Sequence, residues 1–452
     1  MMPWTGESVR AALGLKRTVT ARSFSSVATD TRELEEGALF VALAGEKHDG
    51  HDHLGEAQAR GASAAVVRRG TRAVPGLELI EVDDTLRAYG DLARARRRQI
   101  AGPVIAITGT NGKTSTKEMV AAVLRTRFRV HATRLNFNNL VGVPLTILEA
   151  PDDTEALVIE AGANVPGEVA RYREIIEPSI AIVTNVSEGH LEGFGSLEGV
   201  LQEKVALLRD APLAIVGTEP AALAERGRQL ARRLVTAGLQ AAERKARDVE
   251  IDAQGCASFS AGEYRVRLPL PGRHLAANAM LAWTVAEELG LDLRAAATAF
   301  AELTLPGGRS EVLQFGRLTV LNDCYNANPQ SFSSAIATAK AMRHDRRLVF
   351  VAGTMRELGA DSAPLHARVA EQLVLLKPDL LAAIGDFVVA LEPHRAALGA
   401  RLLTARDPLE LAPLLADRLA GDELVVLKAS RGVALERIIP LLAARTAPSA
   451  EA

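Results

Sequence analysis

The stretch that most constrains the fold of this chain is Val104 to Thr116, with the sequence Val-Ile-Ala-Ile-Thr-Gly-Thr-Asn-Gly-Lys-Thr-Ser-Thr. Its first four residues, Val104 to Ile107, are all apolar, which is typical of a strand buried on both faces of a parallel sheet. A turn containing Gly109 and Gly112 follows, and apolar residues then recur at helical spacing over 119–124. The stretch therefore predicts a buried strand, a glycine-rich loop and a helix.

The loop has the form Gly-Thr-Asn-Gly-Lys-Thr, which is a shortened phosphate-binding loop because Ile107 stands where the longer form has glycine. Gly109 and Gly112 let the backbone curl around phosphate oxygens, and Lys113 can reach the β and γ phosphates. The hydroxyl of Thr114 is placed to bind Mg²⁺, and the helix N-terminus directs free N–H groups at an anion. The alternative is an ordinary strand-to-helix turn with an exposed lysine.

Length and composition limit the class of protein. A chain of 452 residues with 48% hydrophobic content suggests three domains with ample cores. The net charge of -2, with both signs interspersed, offers no basic field for nucleic acid. Only two cysteines occur, far apart, so a reducing cytoplasm is expected. No signal peptide and no apolar run of about 18 residues is found, so no membrane span is predicted.

Residues 1–98 predict a small α/β domain that ends in a connector helix. Short apolar runs at Leu39–Leu43, Ala64–Val67 and Leu77–Val82 alternate with turns and indicate short strands. Thr85–Gln99 has a charged helical pattern with five arginines, for which a solvated helix face is favoured over a basic patch.

Two polar stretches stand out in this domain. One is Thr29-Asp-Thr-Arg32, and the other is Gly45–His53, where three histidines and two aspartates crowd together. Because those residues alternate irregularly in a glycine-broken loop, a loop that caps or grips a ligand is favoured over a metal site.

The predicted central domain, residues 99–304, has the pattern of a doubly wound parallel sheet. Further strands are expected at Leu157–Ile159 and Ile180–Val183, and ligands bind at the carboxyl ends of such strands. The polar residues there are Thr108, Glu160, Asn185 and His190. Glu160 is interpreted as an Mg²⁺ ligand, the alternative being a salt-bridged carboxylate at a strand tip.

Three further segments of the central domain carry weaker signals. The amides of Asn136–Pro144 fit substrate binding and turn building equally well. Pro220–Arg247 is rich in arginine and has a helical pattern. The pattern of Val249–Leu268 predicts an antiparallel meander. Pro271–Leu289 predicts a helix that carries Asn278 among alanines.

Residues 305–452 predict a second parallel, Rossmann-like α/β domain. Its strands are expected at Leu318–Leu321, Leu348–Val351, Leu380–Ile384 and Leu424–Leu427. The polar residues that follow them are Asp323, Thr354, Asp386, Lys428, Ser430 and Arg431. Two α/β domains with polar strand ends suggest a cleft that closes on a substrate.

Taken together, these features resemble the Mur ligases, the ATP-dependent amide-bond-forming enzymes of peptidoglycan synthesis, over nearly the whole chain. The motifs that carry the resemblance are Thr29-Asp-Thr-Arg32, Gly45 to Asp52, Gly109 to Thr114, Asn136-Phe-Asn-Asn139 with Gly142-Val-Pro144, His190-Leu-Glu-Gly-Phe-Gly-Ser196, Tyr325-Asn-Ala-Asn-Pro329 and Lys428-Ala-Ser-Arg431. The fold that the resemblance implies is α/β with three domains: an N-terminal domain that binds a UDP-sugar, a central ATPase domain and a C-terminal Rossmann-like domain.

The resemblance also implies the reaction and its location. A cytoplasmic monomer is expected to join D-alanyl-D-alanine to UDP-N-acetylmuramoyl-tripeptide through an acyl phosphate, with ATP and Mg²⁺ as cofactors. A nucleic acid or membrane partner is not expected. The alternatives are a related ligase that adds a different amino acid and a nucleotide switch without ligase activity. The absence of an Asp-Asn-Pro-Arg stretch weighs against the relative that adds diaminopimelate.

The same resemblance implies roles for individual residues. The uridine nucleotide would contact Asp30, Thr31, Arg32, Gly50 and His51. ATP would contact Gly109, Thr110, Asn111, Gly112, Lys113, Thr114 and Ser115, together with Asn278, Arg309 and Asp323. Metal ligands would be Thr114, Glu160, His190 and Lys204, the last as a carbamate. The catalytic residues would be Lys113, His190 and Lys204. The peptide substrates would contact Asn138, Asn139, Tyr325, Asn326, Lys428, Ser430 and Arg431.

The chain departs from the family pattern at three places. Ala161 stands where methionine is usual, and Ser187-Glu-Gly189 replaces Gly-Pro-Ala before His190. Thr354-Met-Arg356 replaces Asp-Met-Leu, and this departure bears most on the roles transferred within the third domain.

Overall fold

A computed structural model describes residues 4–16, 19–20, 23–45 and 48–446. The chain forms two compact units. The first unit comprises Met1–Ala106, Phe128–Ala163 and Glu168–Ser179, and the second comprises Ile107–Arg127, Asn164–Gly167 and Ile180–Ala452.

Strands and helices alternate along most of the described chain. The strands are β1 (Trp4–Thr5), β2 (Ser23–Phe24), β3 (Val27–Ala28), β4 (Leu39–Val41), β5 (Ala64–Arg68), β6 (Glu78–Val82), β7 (Val104–Thr108), β8 (Val130–Ala132), β9 (Ala156–Glu160), β10 (Ile180–Val183), β11 (Leu213–Val216), β12 (Leu234–Gly238), β13 (Arg244–Lys245), β14 (Arg247–Ile251), β15 (Cys256–Ala261), β16 (Tyr264–Pro271), β17 (Glu311–Phe315), β18 (Leu318–Asp323), β19 (Leu348–Ala352), β20 (Leu380–Ile384), β21 (Leu402–Ala405) and β22 (Leu424–Lys428). The helices are α1 (Gly6–Ala12), α2 (Leu54–Ala59), α3 (Thr85–Arg97), α4 (Lys113–Arg125), α5 (Gly142–Leu148), α6 (Glu168–Ile176), α7 (Leu191–Phe194), α8 (Leu197–Val205), α9 (Ala221–Leu230), α10 (Arg273–Glu288), α11 (Leu293–Ala301), α12 (Pro329–Arg343), α13 (Ser362–Leu376), α14 (Asp386–Ala390), α15 (Arg395–Leu398), α16 (Pro408–Ala416) and α17 (Ile439–Thr446).

The first unit contains a four-stranded parallel sheet in the order β3-β4-β5-β6. Its apolar residues alternate between two buried clusters, so that Leu39 and Val41 pack in one and Phe40 in the other. Tyr89 and Leu92 of α3 close the first cluster. The predicted small α/β domain with short strands is confirmed.

Several arginines of the α3 segment bind neighbouring groups, whereas Arg87 and Arg98 are exposed, so the predicted solvated helix face describes only part of this helix. Arg96 is buried and donates to the carbonyl of Ala150 at 2.7 Å. Arg97 donates to the carbonyl of Ile176 at 2.6 Å, at the end of α6. Arg94 and Arg98 both contact the carboxylate of Glu177. These residues tie α3 to its neighbours, because a buried guanidinium needs acceptors for its donors.

Acidification is expected to weaken the contact between α3 and α6. The hydrogen bonds from Arg98 and Arg94 lower the pKa of Glu177 from 4.5 to about 2. Since this folded-state pKa is depressed, the stabilisation is complete above pH 4.5 and is lost as the pH falls toward 2. The difference in Tm between the wild type and Glu177→Gln should be constant from about pH 7 to 5 and should shrink in steps down to about pH 3.5. A difference that stays constant over that lower range would contradict this prediction.

The strands on either side of the phosphate loop pair with neighbours of their own unit. Within the second unit β10, β11, β12 and β13 pair in parallel, and within the first unit β8 and β9 do so. The predicted meander is confirmed as the antiparallel sheet β14-β15-β16. The helical prediction for Pro220–Arg247 is right only for α9, because Leu234–Gly238 pairs with β11 as a strand.

The last sheet lies in the second unit in the order β17-β18-β22-β19-β20-β21. The strands β18, β22, β19, β20 and β21 are parallel, while β17 pairs with β18 in the antiparallel sense. One buried cluster on this sheet includes Val349, Val351, Val425 and Leu427. The predicted α/β architecture is confirmed, whereas the domain boundaries at 98 and 304 stay predictions.

Candidate functional site

The two glycines of the loop between β7 and α4 each leave space for a different neighbouring side chain. Gly112 precedes α4 with φ of 76°, and a Cβ there would lie 2.7 Å from both amide atoms of Asn278. Gly109 has φ of 144°, and a Cβ there would overlap the hydroxyl of Thr184. Asn278 is itself buried on α10, so this residue, which is predicted to contact ATP, lies beside the start of the α4 helix.

Lys113 folds back over the loop from which it rises. Its Nζ donates to the carbonyl of Gly109 at 2.9 Å and to that of Thr110 at 3.1 Å. Thr114 and Ser115 follow it as buried residues in the first turn of α4. A cation and a helix N-terminus with hydroxyls thus occupy one end of the loop, which is the arrangement that binds phosphate.

The residues after β10 hold the loop in shape. Asn185 accepts from the amide of Thr110 through its carbonyl at 3.0 Å, and from the amide of Asn111 through its side chain at 3.1 Å. The amide of Ser187 donates to the hydroxyl of Thr110 at 3.0 Å. The amide of Thr184 also donates to the carbonyl of Thr108 at 3.0 Å, so the end of β7 at Thr108 lies beside the segment that leads to Asn185.

Asn111 connects the loop to the N-terminus of α12. Its amide pairs with that of Asn328, the two exchanging bonds of 2.7 and 3.2 Å. Its Nδ2 also lies 2.8 Å from the side-chain oxygen of Gln330. The sequence analysis predicted that Asn111 contacts ATP. The structure adds its contact with Asn328, which spacing in the sequence could not identify because the two asparagines are 217 residues apart.

His190 lies at the start of α7 in a left-handed conformation, with φ of 58°. Its Nδ1 is 2.5 Å from Oε2 of Glu357. This contact lowers the pKa of Glu357, and the charges of Lys113 and Arg356 act in the same direction. The sequence analysis did not single out Glu357, although it lies directly after the unusual Thr354-Met-Arg356 stretch.

Lys204 is fully buried near the end of α8. Its Nζ lies 5.3 Å from the centre of the Phe194 ring. The neighbouring Glu203 accepts from the amide of Gly167 at 2.8 Å. Lys204 is therefore not the ordinary exposed lysine that the sequence alone suggests.

Glu160 ends β9 as a buried carboxylate in the first unit. Its Oε1 accepts from Asn138 at 2.8 Å, while its buried Oε2 has no hydrogen-bond partner among the described residues. A buried carboxylate oxygen without a donor fits a cation ligand. Asn139 instead caps α5, accepting from the amide of Gly142 at 2.8 Å, so its observed role is that of a turn-building asparagine.

The predicted uridine-binding residues form two small clusters in the first unit. Asp30 caps a short 3-10 helix and binds the guanidinium of Arg32 at 2.5 Å, which lowers the pKa of Asp30 to about 2. Thr31 is buried within that turn. Arg32 is 82% exposed, so its remaining donors face solvent and can meet an anionic ligand.

His51 is fixed at both ring nitrogens. Nδ1 lies 2.5 Å from Asp49, and Nε2 accepts from the amide of Arg68 at 3.0 Å. A Cβ on Gly50 would lie 2.9 Å from the backbone of Ala42, so only glycine fits. Two residues of the predicted loop, Glu46 and Lys47, lie outside the described residues.

Polar side chains after β18 and β22 meet in the second unit, as predicted. Lys428 is buried, with Nζ 2.7 Å from Asp323 and 2.8 Å from the carbonyl of Asn326. Ser430 accepts from the amide of Arg356 at 2.9 Å. These contacts bring Asp323, Asn326 and Lys428 together at one edge of the sheet, and the Ser430 hydroxyl donates nearby to the carbonyl of Ala327 at 3.4 Å.

Tyr325 contacts two arginines at the same edge. The guanidinium of Arg309 lies 3.4 Å from the ring centre and that of Arg431 lies 5.1 Å from it. No ion pair joins either arginine to a described residue. Two such cations on one aromatic ring can bind phosphate or carboxylate groups.

The described residues contain no group of three or more His, Cys, Asp and Glu side chains that could hold a metal ion. The metal interpretation of Gly45–His53 is therefore not supported by the part of that loop that is described. None of the described helices has the length and apolarity to cross a membrane.

Sequence comparison gives three family matches. Residues 107–286 match the Mur ligase middle domain, residues 308–431 the glutamate ligase domain of Mur ligases, and residues 23–97 the Mur ligase family catalytic domain. The UDP-N-acetylmuramoyl-tripeptide–D-alanyl-D-alanine ligase of Bacillus subtilis is 32% identical, and the alignment covers 91% of this chain and 92% of that protein.

Solved structures agree with these matches. A crystal structure of MurF from Acinetobacter baumannii has a TM-score of 0.89 and 28% identity, covering 98% of this chain and 99% of that one. MurF from Thermotoga maritima in complex with ADP has a TM-score of 0.82 and 27% identity, covering 93% and 97%. The motifs, the fold and these matches extend over the same residues, and the chain belongs to the Mur ligase family.

Proposed function

We propose that the protein is an ATP-dependent ligase that joins D-alanyl-D-alanine to UDP-N-acetylmuramoyl-tripeptide. The observation that carries this proposal is the direct contact between the phosphate loop and α12 through Asn111 and Asn328. A nucleotide switch has no need of a second α/β sheet beside its loop, whereas a ligase must bring a second substrate to the activated one. The B. subtilis relative, whose name states this reaction, supports the choice of substrates.

The reaction has two steps. The terminal carboxylate of the tripeptide attacks the γ-phosphorus of ATP, so that ADP leaves and an acyl phosphate forms. The amine of D-alanyl-D-alanine then attacks the acyl carbon, the C–O bond to phosphate breaks, and inorganic phosphate leaves as the amide forms. Little covalent chemistry is required of the protein, because phosphoryl transfer is accelerated chiefly by positioning and charge stabilisation.

The residues of the loop supply much of that stabilisation. Lys113 and the amides at the start of α4 neutralise the charge on the transferring phosphoryl group. Asn278, Arg309 and Asp323 are proposed to hold the rest of the nucleotide. Docking of the C-terminal sheet on the loop aligns carboxylate with amine and excludes water, which would otherwise hydrolyse the acyl phosphate.

The substrates are assigned to separate residue sets. Asp30 to Arg32, with Gly50 and His51, are proposed to hold the uridine nucleotide. Asn138, Asn139, Tyr325, Asn326, Lys428, Ser430 and Arg431 are proposed to contact the peptide substrates. Among these, Asn139 already uses its side-chain oxygen as a helix cap, so its remaining amide donors are the groups left for a substrate.

Mg²⁺ is proposed as the second cofactor. When bound to ATP it would polarise the γ-phosphate and balance its charge. Thr114, His190 and Lys204 are its proposed ligands in the second unit, with Lys204 as a carbamate that offers oxygen atoms. Glu160 is proposed separately as a Mg²⁺ ligand, because its buried Oε2 lacks a hydrogen-bond donor among the described residues. Catalytic roles are proposed for Lys113, His190 and Lys204.

The test is ADP release from Mg-ATP and UDP-N-acetylmuramoyl-tripeptide with and without D-alanyl-D-alanine. We expect release that requires both substrates, together with a product heavier by one dipeptide. Release that ignores the dipeptide would favour the nucleotide switch, and release with a single amino acid instead would favour a related ligase. We further propose that the enzyme acts as a cytoplasmic monomer, which light scattering of the purified protein can check.

A further inference from the structure

Neighbouring residues engage every polar group of Asn111 in the phosphate loop. Its backbone amide donates to the side chain of Asn185 at 3.1 Å, and its carbonyl accepts from the same side chain at 3.0 Å. Its side-chain oxygen accepts from Asn328 at 2.7 Å. Oxygen atoms of Ser187, Asn328 and Gln330 lie within 3.2 Å of its Nδ2, which carries only two hydrogens. Asn111 is therefore fixed to the segment after β10 on one side and to the start of α12 on the other.

Asn328 has two roles at the start of α12. Its side-chain oxygen accepts from the amide of Ser331 at 2.9 Å, and its own amide donates to the Ser331 hydroxyl at 2.9 Å, which caps the helix. Its side-chain nitrogen donates to Asn111. The residue is 4% exposed. The position of the helix start therefore depends on the position of the phosphate loop.

The bridging segment, residues 325–328, runs from the proposed peptide contacts to Asn328. Within it, the Nζ of Lys428 donates to the carbonyl of Asn326 at 2.8 Å, and the hydroxyl of Ser430 donates to the carbonyl of Ala327 at 3.4 Å. Lys428 and Ser430 are themselves proposed to contact the peptide substrates. Four residues span at most about 14 Å even when extended. The segment is therefore too short to absorb a displacement at one end without moving the other.

Two ligands that order the same short segment bind cooperatively. Phosphate in the loop would fix Asn111 and, through Asn328, the bridging segment before the dipeptide arrives. The protein then loses less conformational freedom when the dipeptide binds, so the dipeptide binds more tightly without a new contact. By thermodynamic linkage, the dipeptide raises the affinity for the nucleotide by the same factor.

We propose that Asn328 is a positioning residue that couples nucleotide binding at the phosphate loop to dipeptide binding at the edge of the C-terminal sheet. This role rests on the proposed function for the identity of the dipeptide. A helix cap needs only an oxygen acceptor, which serine supplies about as well as asparagine. The coupling requires in addition the side-chain nitrogen that donates to Asn111.

Asn328→Ser separates these two roles. Serine keeps an oxygen for the cap but lacks the nitrogen that lies 2.7 Å from the side-chain oxygen of Asn111. Ser331→Ala is the matched control, because it removes the hydroxyl that accepts from the amide of Asn328 and leaves the Asn111–Asn328 pair intact. A weakened helix start should lower Tm in Ser331→Ala, whereas loss of coupling should appear only in Asn328→Ser. Circular dichroism establishes that each variant is folded.

The first experiment follows hydrogen exchange of the backbone amides in residues 325–331 of the full chain by mass spectrometry. Mg²⁺ and a non-hydrolysable ATP analogue are added without any peptide substrate. We expect the analogue to slow exchange in this segment about 10-fold in the wild type and in Ser331→Ala, and not in Asn328→Ser. Equal slowing in the wild type and Asn328→Ser, or none in the wild type, would overturn the proposal.

The second experiment measures the coupling between the two ligands. The same analogue is titrated calorimetrically into protein saturated with UDP-N-acetylmuramoyl-tripeptide, with and without D-alanyl-D-alanine. We expect the dipeptide to lower the Kd of the analogue about 10-fold in the wild type and in Ser331→Ala, and to leave it nearly unchanged in Asn328→Ser. An equal effect of the dipeptide in the wild type and Asn328→Ser would count against the role of Asn328.

Failure of the proposed function would give a different result. If the wild type released no ADP with these substrates, D-alanyl-D-alanine would not be the acceptor and the proposed function would fail. The exchange measurement uses no peptide substrate. It would therefore still decide whether Asn328 transmits nucleotide binding to the bridging segment.

Discussion

Replacing Lys113 with alanine is expected to lower the rate of ADP formation by about 10³-fold, the effect seen when one main donor to a developing charge is removed. In the structure its ammonium bonds to the carbonyls of Gly109 and Thr110, so the charge is already held at the loop before a phosphate arrives. Alanine removes that charge but leaves the backbone amides and the start of α4 in place. Steady-state ADP release at saturating dipeptide is the measurement.

The same variant should keep its affinity for UDP-N-acetylmuramoyl-tripeptide, because the proposed uridine-binding residues Asp30 to Arg32 do not include any part of the loop. Titration calorimetry with the UDP-sugar alone tests this expectation. The control is Lys340→Ala, which removes an exposed lysine on α12 and should turn over normally. Turnover above a tenth of the wild-type rate in Lys113→Ala would contradict the assignment of the loop.

The strands that sequence predicted correctly are those whose residues identify them without help from neighbours. Four consecutive apolar residues, as at Val104–Ile107 or Leu348–Val351, are unfavourable on a surface. Such a run therefore predicts a strand that is buried on both faces of a parallel sheet. The strands that sequence missed, such as Val130–Ala132 and Glu311–Phe315, are only half-buried or partly exposed. Pairing with a neighbouring strand, which is a tertiary contact, decides their conformation.

The candidate site likewise has a part that local sequence determines and a part that only contacts between distant segments determine. The phosphate loop is local, because strand, glycines, lysine and helix follow one another within 13 residues of sequence from Val104 to Thr116, so its shape was predictable. The Asn111–Asn328 pair and the His190–Glu357 contact join distant segments of the chain. No spacing rule connects them, since only the packing of the C-terminal sheet determines which side chain meets the loop. The ion pairs of the α3 arginines were not predictable for a similar reason, because Glu177 lies 79 residues beyond Arg98 in the sequence.

Alanine at Gly109 is expected to abolish measurable ATP binding, with a loss of affinity of about 100-fold or more. A Cβ there would overlap the hydroxyl of Thr184 and would lie 3.1 Å from the carbonyl of Asn185. Thr184 now donates to the carbonyl of Asn111 at 2.6 Å. The methyl group would therefore displace a hydroxyl that fixes the loop, and the amides would no longer converge on a phosphate.

The control for backbone strain is Gly290→Ala. Gly290 follows α10 with φ of 61°, and a Cβ there would have no neighbouring atom within 4 Å, so alanine adds left-handed strain without a clash. That strain costs about 1–2 kcal/mol and should lower Tm while leaving ATP affinity unchanged. Fluorescent-nucleotide titration of both variants separates the two effects. If Gly109→Ala and Gly290→Ala bound ATP with the same affinity, the close approach of Thr184 to Gly109 would not determine the shape of the loop. The backbone conformation of Gly109 would then be the sole reason for a glycine there.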